Sequence, residues 1–242
     1  MEKVSSGILG LDEMLDGGFP RGRIILLCGG PGTGKTVFSL QFLAKAAERG
    51  EAGVYVTLEE PLELIRKNAE TFGWALDEKE RKNLLRMLDF YAVPYAGTIG
   101  IRERQSKKFI LSIMNEIEMA VYDIDAKNVV IDPLTSLTIH EHSAGIKRHK
   151  IASLFDRLRK LRCTSICTSE VQSPTREFYI EEFLADGVIW FEKVIKDFTL
   201  IKTVRIEKMR GVAYDEQPRR YTINENGLTV YSTEPISWME RK

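Results

Sequence analysis

Glycines, a lysine and a threonine stand close together in the stretch GGPGTGKT at residues 29–36, and this spacing can bind phosphate. Glycine has no Cβ, so backbone N–H groups in such a loop can approach an anion closely. The order matches G-x-x-x-x-G-K-[ST], in which the lysine reaches the β and γ phosphates of a nucleoside triphosphate and the hydroxyl binds Mg²⁺. The predicted nucleotide-binding residues are Gly30, Pro31, Gly32, Thr33, Gly34, Lys35, Thr36 and Val37, with Lys35 also catalytic and Thr36 also a metal ligand.

The segments on either side of this loop agree with that interpretation. An apolar run at residues 24–28 precedes the loop, and an apolar-periodic segment at residues 37–47 follows it. A buried strand followed by a helix would aim the positive end of the helix dipole at the anion. The alternative is a Gly-Pro turn with a solvated Lys35, and the two flanking elements together with both polar ligands favour the phosphate site.

Carboxylates follow two further strand-like runs. Asp132 comes directly after an apolar run, and Glu59 and Glu60 follow the run at residues 53–58. Because ligands of open α/β sheets bind at the carboxyl ends of the strands, we expect Asp132 to bind Mg²⁺ together with the threonine of the loop. One glutamate of the pair is expected to orient and deprotonate a water molecule. The alternatives are a turn or helix-cap role for Asp132 and a solvated glutamate pair.

Two cations, Lys208 and Arg210, lie two positions apart at the end of a strand-like run, so they are predicted to point to one side of it. Cations so close repel each other unless an anion lies between them. They are either an ordinary exposed pair or donors to the γ-phosphate of a nucleotide bound by a neighbouring subunit. The residue pattern leaves both hypotheses open.

Two polar loops are candidate partner surfaces. The first holds the histidines and a basic group: His140, His142, Lys147, Arg148, His149 and Lys150. A His-x-His pair can bind zinc, but nothing in the sequence completes a ligand set, so a partner surface is the better interpretation. The second loop, residues 170–181, carries several glutamates. Because nucleic-acid binding requires a net basic face, these glutamates argue against nucleic acid as its partner.

Composition narrows the class of protein. The 242 residues are 43% hydrophobic, which suits one α/β domain, and 35 basic residues balance 35 acidic ones, so no overall charge attracts nucleic acid or a membrane. The cysteines Cys28, Cys163 and Cys167 lie in or beside apolar runs, as in proteins of a reducing compartment. No apolar run approaches the ~20 residues that cross a bilayer, and no signal peptide is evident. We expect a cytoplasmic protein with no membrane partner.

The order of elements predicts the fold. Helices are expected at about residues 9–15, 35–49, 61–72, 104–124 and 151–161. Strands are expected at 24–28, 53–58, 84–91, 127–132 and 163–168, and a charged loop at 75–83. This alternation implies parallel strands with right-handed crossovers. After residue 186, strands at 187–191, 199–208 and 221–231 follow without helices, so antiparallel strands should extend one edge. The expected domain is 1–232, with a loosely attached tail at 233–242.

Six stretches in this order resemble the KaiC-like ATPases of the RecA superfamily. They are SSGILGLDEMLDGGFPRG, GGPGTGKT, YVTLEEPLELIRKNAETFGW, VVIDPLTSL, EEFLADGVIWFEK and IEKMRG. The resemblance implies a RecA-like P-loop fold, a central and mostly parallel twisted sheet flanked by helices, that binds ATP or ADP with Mg²⁺. It covers residues 4 to 232.

The resemblance also implies roles for the candidate residues. By analogy Glu59 and Glu60 are catalytic glutamates, Asp132 is the Walker B acid, and Lys208 with Arg210 reach the nucleotide of the next subunit in a hexameric ring. The loops 138–149 and 170–181 would face the central channel, as DNA-binding loops do in recombinases of this superfamily.

Two departures from the family pattern stand out. The clock protein of this family has an ATPase half and an autokinase half, and the autokinase half is phosphorylated at a Ser-Thr pair. Glu182 and Phe183 occupy the positions of that pair here, so the chain resembles the ATPase half. Tyr214 and Glu216 stand where a His and a Lys help to grip the neighbour's nucleotide, which puts tight hexamer formation in doubt.

The sequence thus predicts a slowly ATP-hydrolysing regulatory protein that forms a homo-oligomer and could serve an unidentified protein partner. One alternative is a recombinase-like DNA-binding ATPase, which the balanced charge disfavours. Another is a nucleotide-gated scaffold with negligible turnover.

Overall fold

The computed structural model describes residues 1–91, 107–138, 141, 143–170, 179–196 and 198–236. Within these residues the centre is a nine-stranded sheet in the order β5-β4-β6-β7-β3-β8-β9-β10-β11, beside a small pair β1-β2. The strands are β1 Lys3–Val4, β2 Phe19–Pro20, β3 Ile24–Gly29, β4 Gly53–Thr57, β5 Leu85–Asp89, β6 Asn128–Asp132, β7 Thr164–Glu170, β8 Gly187–Lys196, β9 Thr199–Met209, β10 Arg219–Asn224 and β11 Gly227–Pro235.

Helices connect and cover the strands. They are α1 Leu11–Met14, α2 Lys35–Glu48, α3 Leu62–Glu70, α4 Leu76–Arg81, α5 Lys107–Asp123, α6 Ala144–Leu161 and α7 Ile180–Leu184, with a 3₁₀ turn at Leu134–Leu137. In the described part of the chain no helix combines the length and the apolar character needed to cross a bilayer.

The strands from β5 to β8 in the sheet order run parallel, and β9, β10 and β11 extend the β8 edge antiparallel. This confirms the predicted mostly parallel sheet with an antiparallel C-terminal edge. The register places Gly29 beside Glu170 and Thr57 beside Asp132. The carboxyl ends of β3, β4, β6 and β7 therefore meet at one edge of the sheet.

Strands β3, β4 and β6 are buried along their whole length because both faces of the sheet are covered there. Along β3, Ile25 and Leu27 pack into one core cluster with α1 and α2, while Ile24, Leu26 and Cys28 pack into a second cluster with α5 and α6. Successive side chains of a strand point to opposite faces, so one continuous apolar run can serve both cores. All three cysteines are free and buried.

Some elements differ from the sequence prediction. The charged segment expected as a loop forms α4, where Leu76 is buried and Arg66 of α3 pairs with Asp77 and Glu80. Helix α7 was not predicted, because five residues are too short to show periodicity. Strand β11 continues to Pro235, and residues 237–242 lie outside the described residues. The domain boundary at residue 232 stays a prediction.

Helix α6 offers a matched test of core packing. Phe155 is fully buried in the second cluster, and Phe198, at the turn between β8 and β9, is fully exposed. We expect Phe155→Ala to lower the free energy of unfolding by about 3–5 kcal/mol, because it leaves a cavity, and Phe198→Ala to change it by less than about 0.5 kcal/mol. Urea unfolding measures both values, and equal losses would contradict the core assignment.

Candidate nucleotide-binding site

The glycine-rich loop connects β3 to α2 at the carboxyl edge of the sheet. Strand β3 ends at Gly29 and α2 begins at Lys35. Gly32 and Gly34 have φ angles of 68° and 97°, in the left-handed region that favours glycine. A Cβ on Gly34 would also lie 2.5 Å from Cδ1 of Ile223. The loop conformation thus requires glycine at Gly34 for two separate reasons.

Lys35 is folded back onto the loop that precedes it. Its Nζ donates to the carbonyl oxygens of Gly29 at 2.8 Å and Gly30 at 3.1 Å, and the Thr33 hydroxyl also donates to Gly30 O at 2.9 Å. Burial lowers the pKa of Lys35, while the nearby carboxylates of Glu170 and Asp132 oppose that shift. The ammonium group is therefore held at the floor of the loop by two carbonyls that an incoming phosphate can replace.

A cleft of about 330 Å³ opens over the loop. This volume is at the lower end of the range of small-molecule sites. The lining residues are Pro31, Gly32, Gly34, Lys35, Thr36, Val37, Tyr55, Thr57, Glu59, Glu60, Ile65, Asp132, Pro133 and Glu170. The loop and all the acids expected at strand ends thus face one cavity.

Asp132 ends β6 and is held by two hydroxyl groups. Tyr55 OH donates to Asp132 Oδ2 at 2.7 Å, and the Thr168 hydroxyl donates to Oδ1. Burial and the Asp132 carboxylate raise the pKa of Tyr55 well above its usual value, so the phenol remains a donor. These bonds fix the carboxylate from β4 and β7 on either side.

The residues present fit a magnesium ion. The Thr36 hydroxyl and the Asp132 carboxylate line the same cleft and supply oxygen ligands. Mg²⁺ prefers oxygen and is commonly held by one or two protein carboxylates, water and the phosphates of a substrate. A site with few protein ligands beside a phosphate loop matches this preference.

Glu59 and Glu60 project from a short turn after β4. The Thr57 hydroxyl donates to Glu60 O at 2.6 Å and accepts from Glu60 N at 3.2 Å. The Glu59 carboxylate accepts a hydrogen bond from the Ser136 hydroxyl. Burial raises the pKa of Glu59, the hydrogen bond from Ser136 partly opposes this shift, and Glu170 and Asp132 add to it. Burial, followed by the Asp132 charge, raises the pKa of Glu60. Both carboxyls are thereby tuned toward proton acceptance nearer neutral pH.

The comparisons with known proteins agree with this geometry. The sequence model of the KaiC ATPase family matches residues 4–235. The chain belongs to the KaiC ATPase family. It is 37% identical to a UPF0273 protein of Methanopyrus kandleri, over 95% of this chain and 92% of that one. It is 34% identical to the circadian clock protein KaiC3 of Synechocystis sp., over 99% of this chain and 47% of that one.

A solved structure shares the fold. The crystal structure of a KaiC-like protein from Pyrococcus horikoshii superposes with a TM-score of 0.82 at 34% identity, covering 95% of this chain and 99% of that chain. The chain is thus a single KaiC-like domain that matches about half the length of the clock protein.

Within this KaiC-like fold, Lys208 and Arg210 lie away from the chain's own cleft. Lys208 is in register with Val188 of β8, which pairs with Leu26, three residues before the loop begins at Gly29. Lys208 Nζ donates to Glu182 O at 2.5 Å, and Arg210 Nη2 donates to Phe183 O at 3.4 Å.

These contacts replace the anion expected between the two cations. The carbonyls accept the hydrogen bonds near the C-terminus of α7, and Arg210 Nη1 also lies 4.0 Å from the Asp186 carboxylate. Burial and the Arg210 charge lower the pKa of Lys208. Neither side chain lines the cleft of its own subunit, and the trans role stays a prediction.

The predicted channel loops can be placed only in part. His140, His142 and residues 171–178 lie outside the described residues, and His149 lies in α6. Among the basic residues of the first loop, Lys147 Nζ is 3.4 Å from Glu181 and Lys150 Nζ is 2.9 Å from Glu141. Both ammonium groups are thus paired with carboxylates of the same chain.

Several residues of the site were not assigned a role from the sequence. They are Tyr55, Ser136, Thr168, Glu170 and Tyr221. Glu170 ends β7 at the same edge as Asp132, so the rule that identified Asp132 could have found it. The four hydroxyl donors act across strands or from the 3₁₀ turn, and a single sequence does not show which strand becomes the neighbour of which.

Proposed function

We propose that this chain binds Mg-ATP in the cleft above the phosphate loop and slowly hydrolyses it to ADP and phosphate. It would act as a regulatory protein that assembles into a ring with nucleotide at the subunit interfaces. The observation that carries the proposal is the convergence of Lys35, Asp132 and the glutamates Glu59 and Glu60 on one cleft. Membership in the KaiC ATPase family supports the same reaction.

Binding exchanges one set of hydrogen bonds for another. The Lys35 ammonium leaves the carbonyls of Gly29 and Gly30 and bonds to the β and γ phosphates, while the N-terminus of α2 faces the same anion. Thr36 and Asp132 would hold Mg²⁺, which would supply positive charge to neutralise the phosphates. Tyr55 and Thr168 keep the Asp132 carboxylate oriented for that task.

Hydrolysis requires a base beside the γ-phosphate. Glu60 suits this role because, within the described residues, its carboxylate makes no hydrogen bond, whereas that of Glu59 is held by Ser136. The Glu60 carboxylate takes the proton of the attacking water, the bond from the γ-phosphorus to the bridging oxygen breaks, and ADP leaves with that oxygen. Glu59 lies beside Glu60 and restricts where the water can bind.

Lys208 and Arg210 do not line their own cleft, which supports an intermolecular role. Arg210 has about half of its side chain exposed, at 54%. Arginine supplied by a neighbour stabilises the charge that develops on a transferring phosphoryl group. A subunit alone lacks this contribution, so hydrolysis would depend on self-association.

The first prediction concerns binding. Lys35→Ala should weaken Mg-ATP binding at least about 100-fold, because the loop loses the cation that would bond to the β and γ phosphates. Lys160→Ala, on the exposed side of α6, is the control and should bind as the wild type does. Isothermal titration calorimetry measures both, and unchanged affinity in Lys35→Ala would refute the site assignment.

The second prediction separates the two glutamates. Glu60→Gln should keep ATP affinity within about threefold and lower kcat by about 10²–10⁴, because the proton acceptor is lost. Glu59→Gln should lower kcat less, since the Glu59 carboxyl restricts where the water binds and does not take its proton. A larger loss in Glu59→Gln would exchange the two roles, and unchanged hydrolysis in both variants would favour a nucleotide-gated scaffold.

The pH dependence provides an independent check on the base. A base works only when deprotonated, and the pKa of Glu60 is raised. The rate should therefore fall, as pH decreases, at a pH above the value of about 4.3 of an unperturbed glutamate. Phosphate release measured from pH 4 to 8 tests this, with Glu60→Gln as the variant that loses the acidic limb.

The third prediction tests the neighbour's contribution. Arg210→Ala should bind ATP normally and lose about 10³-fold in kcat. Mixing it with Lys35→Ala, which carries an intact Arg210 but an inactive cleft, should restore hydrolysis above that of either variant alone. Light scattering with and without Mg-ATP reports the assembly, and full activity in Arg210→Ala would refute the trans role.

A further inference from the structure

Strands β8 and β10 each contact the backbone of the phosphate loop. On β10, the hydroxyl of Tyr221 donates to the carbonyl oxygen of Thr33. On β8, Lys193 Nζ donates to the carbonyl oxygen of Pro31 at 2.8 Å. Tyr221 lies 188 positions from Thr33 and Lys193 lies 162 from Pro31, so the loop motif alone specifies neither contact.

These two bonds determine which way the loop amides point. In a trans peptide the carbonyl and the N–H of the next residue point in opposite directions. Holding the carbonyls of Pro31 and Thr33 toward β8 and β10 therefore turns the N–H groups of Gly32 and Gly34 away from those two strands. Gly32 and Gly34 line the cleft. The two hydrogen bonds to the loop carbonyls thus point the N–H groups that would bind phosphate toward the cleft.

Tyr221 is a rigid anchor for this purpose. Its side chain is 1% exposed and packs edge-on against Phe191, with ring centroids 5.4 Å apart. Burial raises the pKa of Tyr221, so its hydroxyl remains a donor. The ring occupies a close-packed core, and the hydroxyl can move little unless β10 moves with it.

The hairpin of β10 and β11 is itself fixed to the helix that follows the loop. Gln41 of α2 donates from Nε2 to Leu228 O at 3.1 Å and accepts from Leu228 N at 2.7 Å. Ile223 packs in the space that a Cβ on Gly34 would need. The loop, its helix and the hairpin therefore form one connected unit.

We propose that Tyr221, assisted by Lys193, is a positioning residue for nucleotide phosphate, so that the C-terminal hairpin sets the affinity of the loop. This inference rests on the proposed function, because it concerns the same ATP site. Strand β10 also pairs with β9, the strand that carries Lys208, for which a role at a neighbouring subunit is proposed above. Contact with a neighbour would therefore reach the phosphate loop through backbone pairing.

The test compares Tyr221→Phe with a matched control. Tyr221→Phe removes only the hydroxyl, and we expect the Kd values for Mg-ATP and Mg-ADP to rise about 5- to 10-fold, as the loss of one buried hydrogen bond implies. The kcat at saturating ATP should stay within about twofold. Tyr231→Phe, whose hydroxyl pairs with Thr222 in the same hairpin at 3.2 Å, should leave both Kd values unchanged.

A merely structural role predicts a different outcome. In that case Tyr221→Phe would lower the Tm of the nucleotide-free protein and leave the Kd and KM for ATP as in the wild type, which would overturn the proposal. If Tyr221→Phe does not fold, Lys193→Met decides. Lys193 is exposed, its loss should raise the Kd about threefold at both 50 and 500 mM NaCl, and an unchanged Kd would overturn the proposal.

The failure of this inference is distinguishable from that of the proposed function. If wild-type protein binds neither Mg-ATP nor Mg-ADP in the calorimeter, the proposed function is refuted and the positioning role falls with it. If the wild type binds and Tyr221→Phe binds equally well, only the positioning role is refuted.

Discussion

The structure depends on the register of its parallel strands. Gly29 beside Glu170 and Thr57 beside Asp132 bring a phosphate-binding loop and several carboxylates to one edge. A shift of one residue would turn each side chain to the other face of the sheet, and the acids would leave the cleft. Burial on both faces penalises any such shift, because each strand places apolar side chains in both cores.

Crowding carboxylates in a partly buried cleft has an electrostatic cost, and the chain limits it with neutral donors and one cation. Tyr55 and Thr168 satisfy Asp132, and Ser136 satisfies Glu59. Lys35 provides positive charge in the same cavity. Burial, with a smaller contribution from the neighbouring carboxylates, raises the pKa of Glu59 and Glu60, so the cleft that can hold a cation also contains candidate bases.

The sequence was sufficient for the elements whose signal is local. Glycine spacing predicted the loop between β3 and α2, and apolar runs ending in acids predicted which residues line the cleft. It was insufficient where the signal is short or distant. Helix α4 is made of charged residues that pair with α3, and the bond from Tyr221 to Thr33 joins positions 188 residues apart. Partners so far apart in sequence can be identified only once the order of the strands in the sheet is known.

Strand β3 is shared between the two cores, and this has a consequence for the loop that it carries. Ile25 and Leu27 face one helical layer, while Ile24, Leu26 and Cys28 face the other. Gly29 thus ends the strand that packs against both layers. If heat or a distant substitution loosened the packing of either layer, the carboxyl end of β3 would shift slightly, and the phosphate loop would move with it.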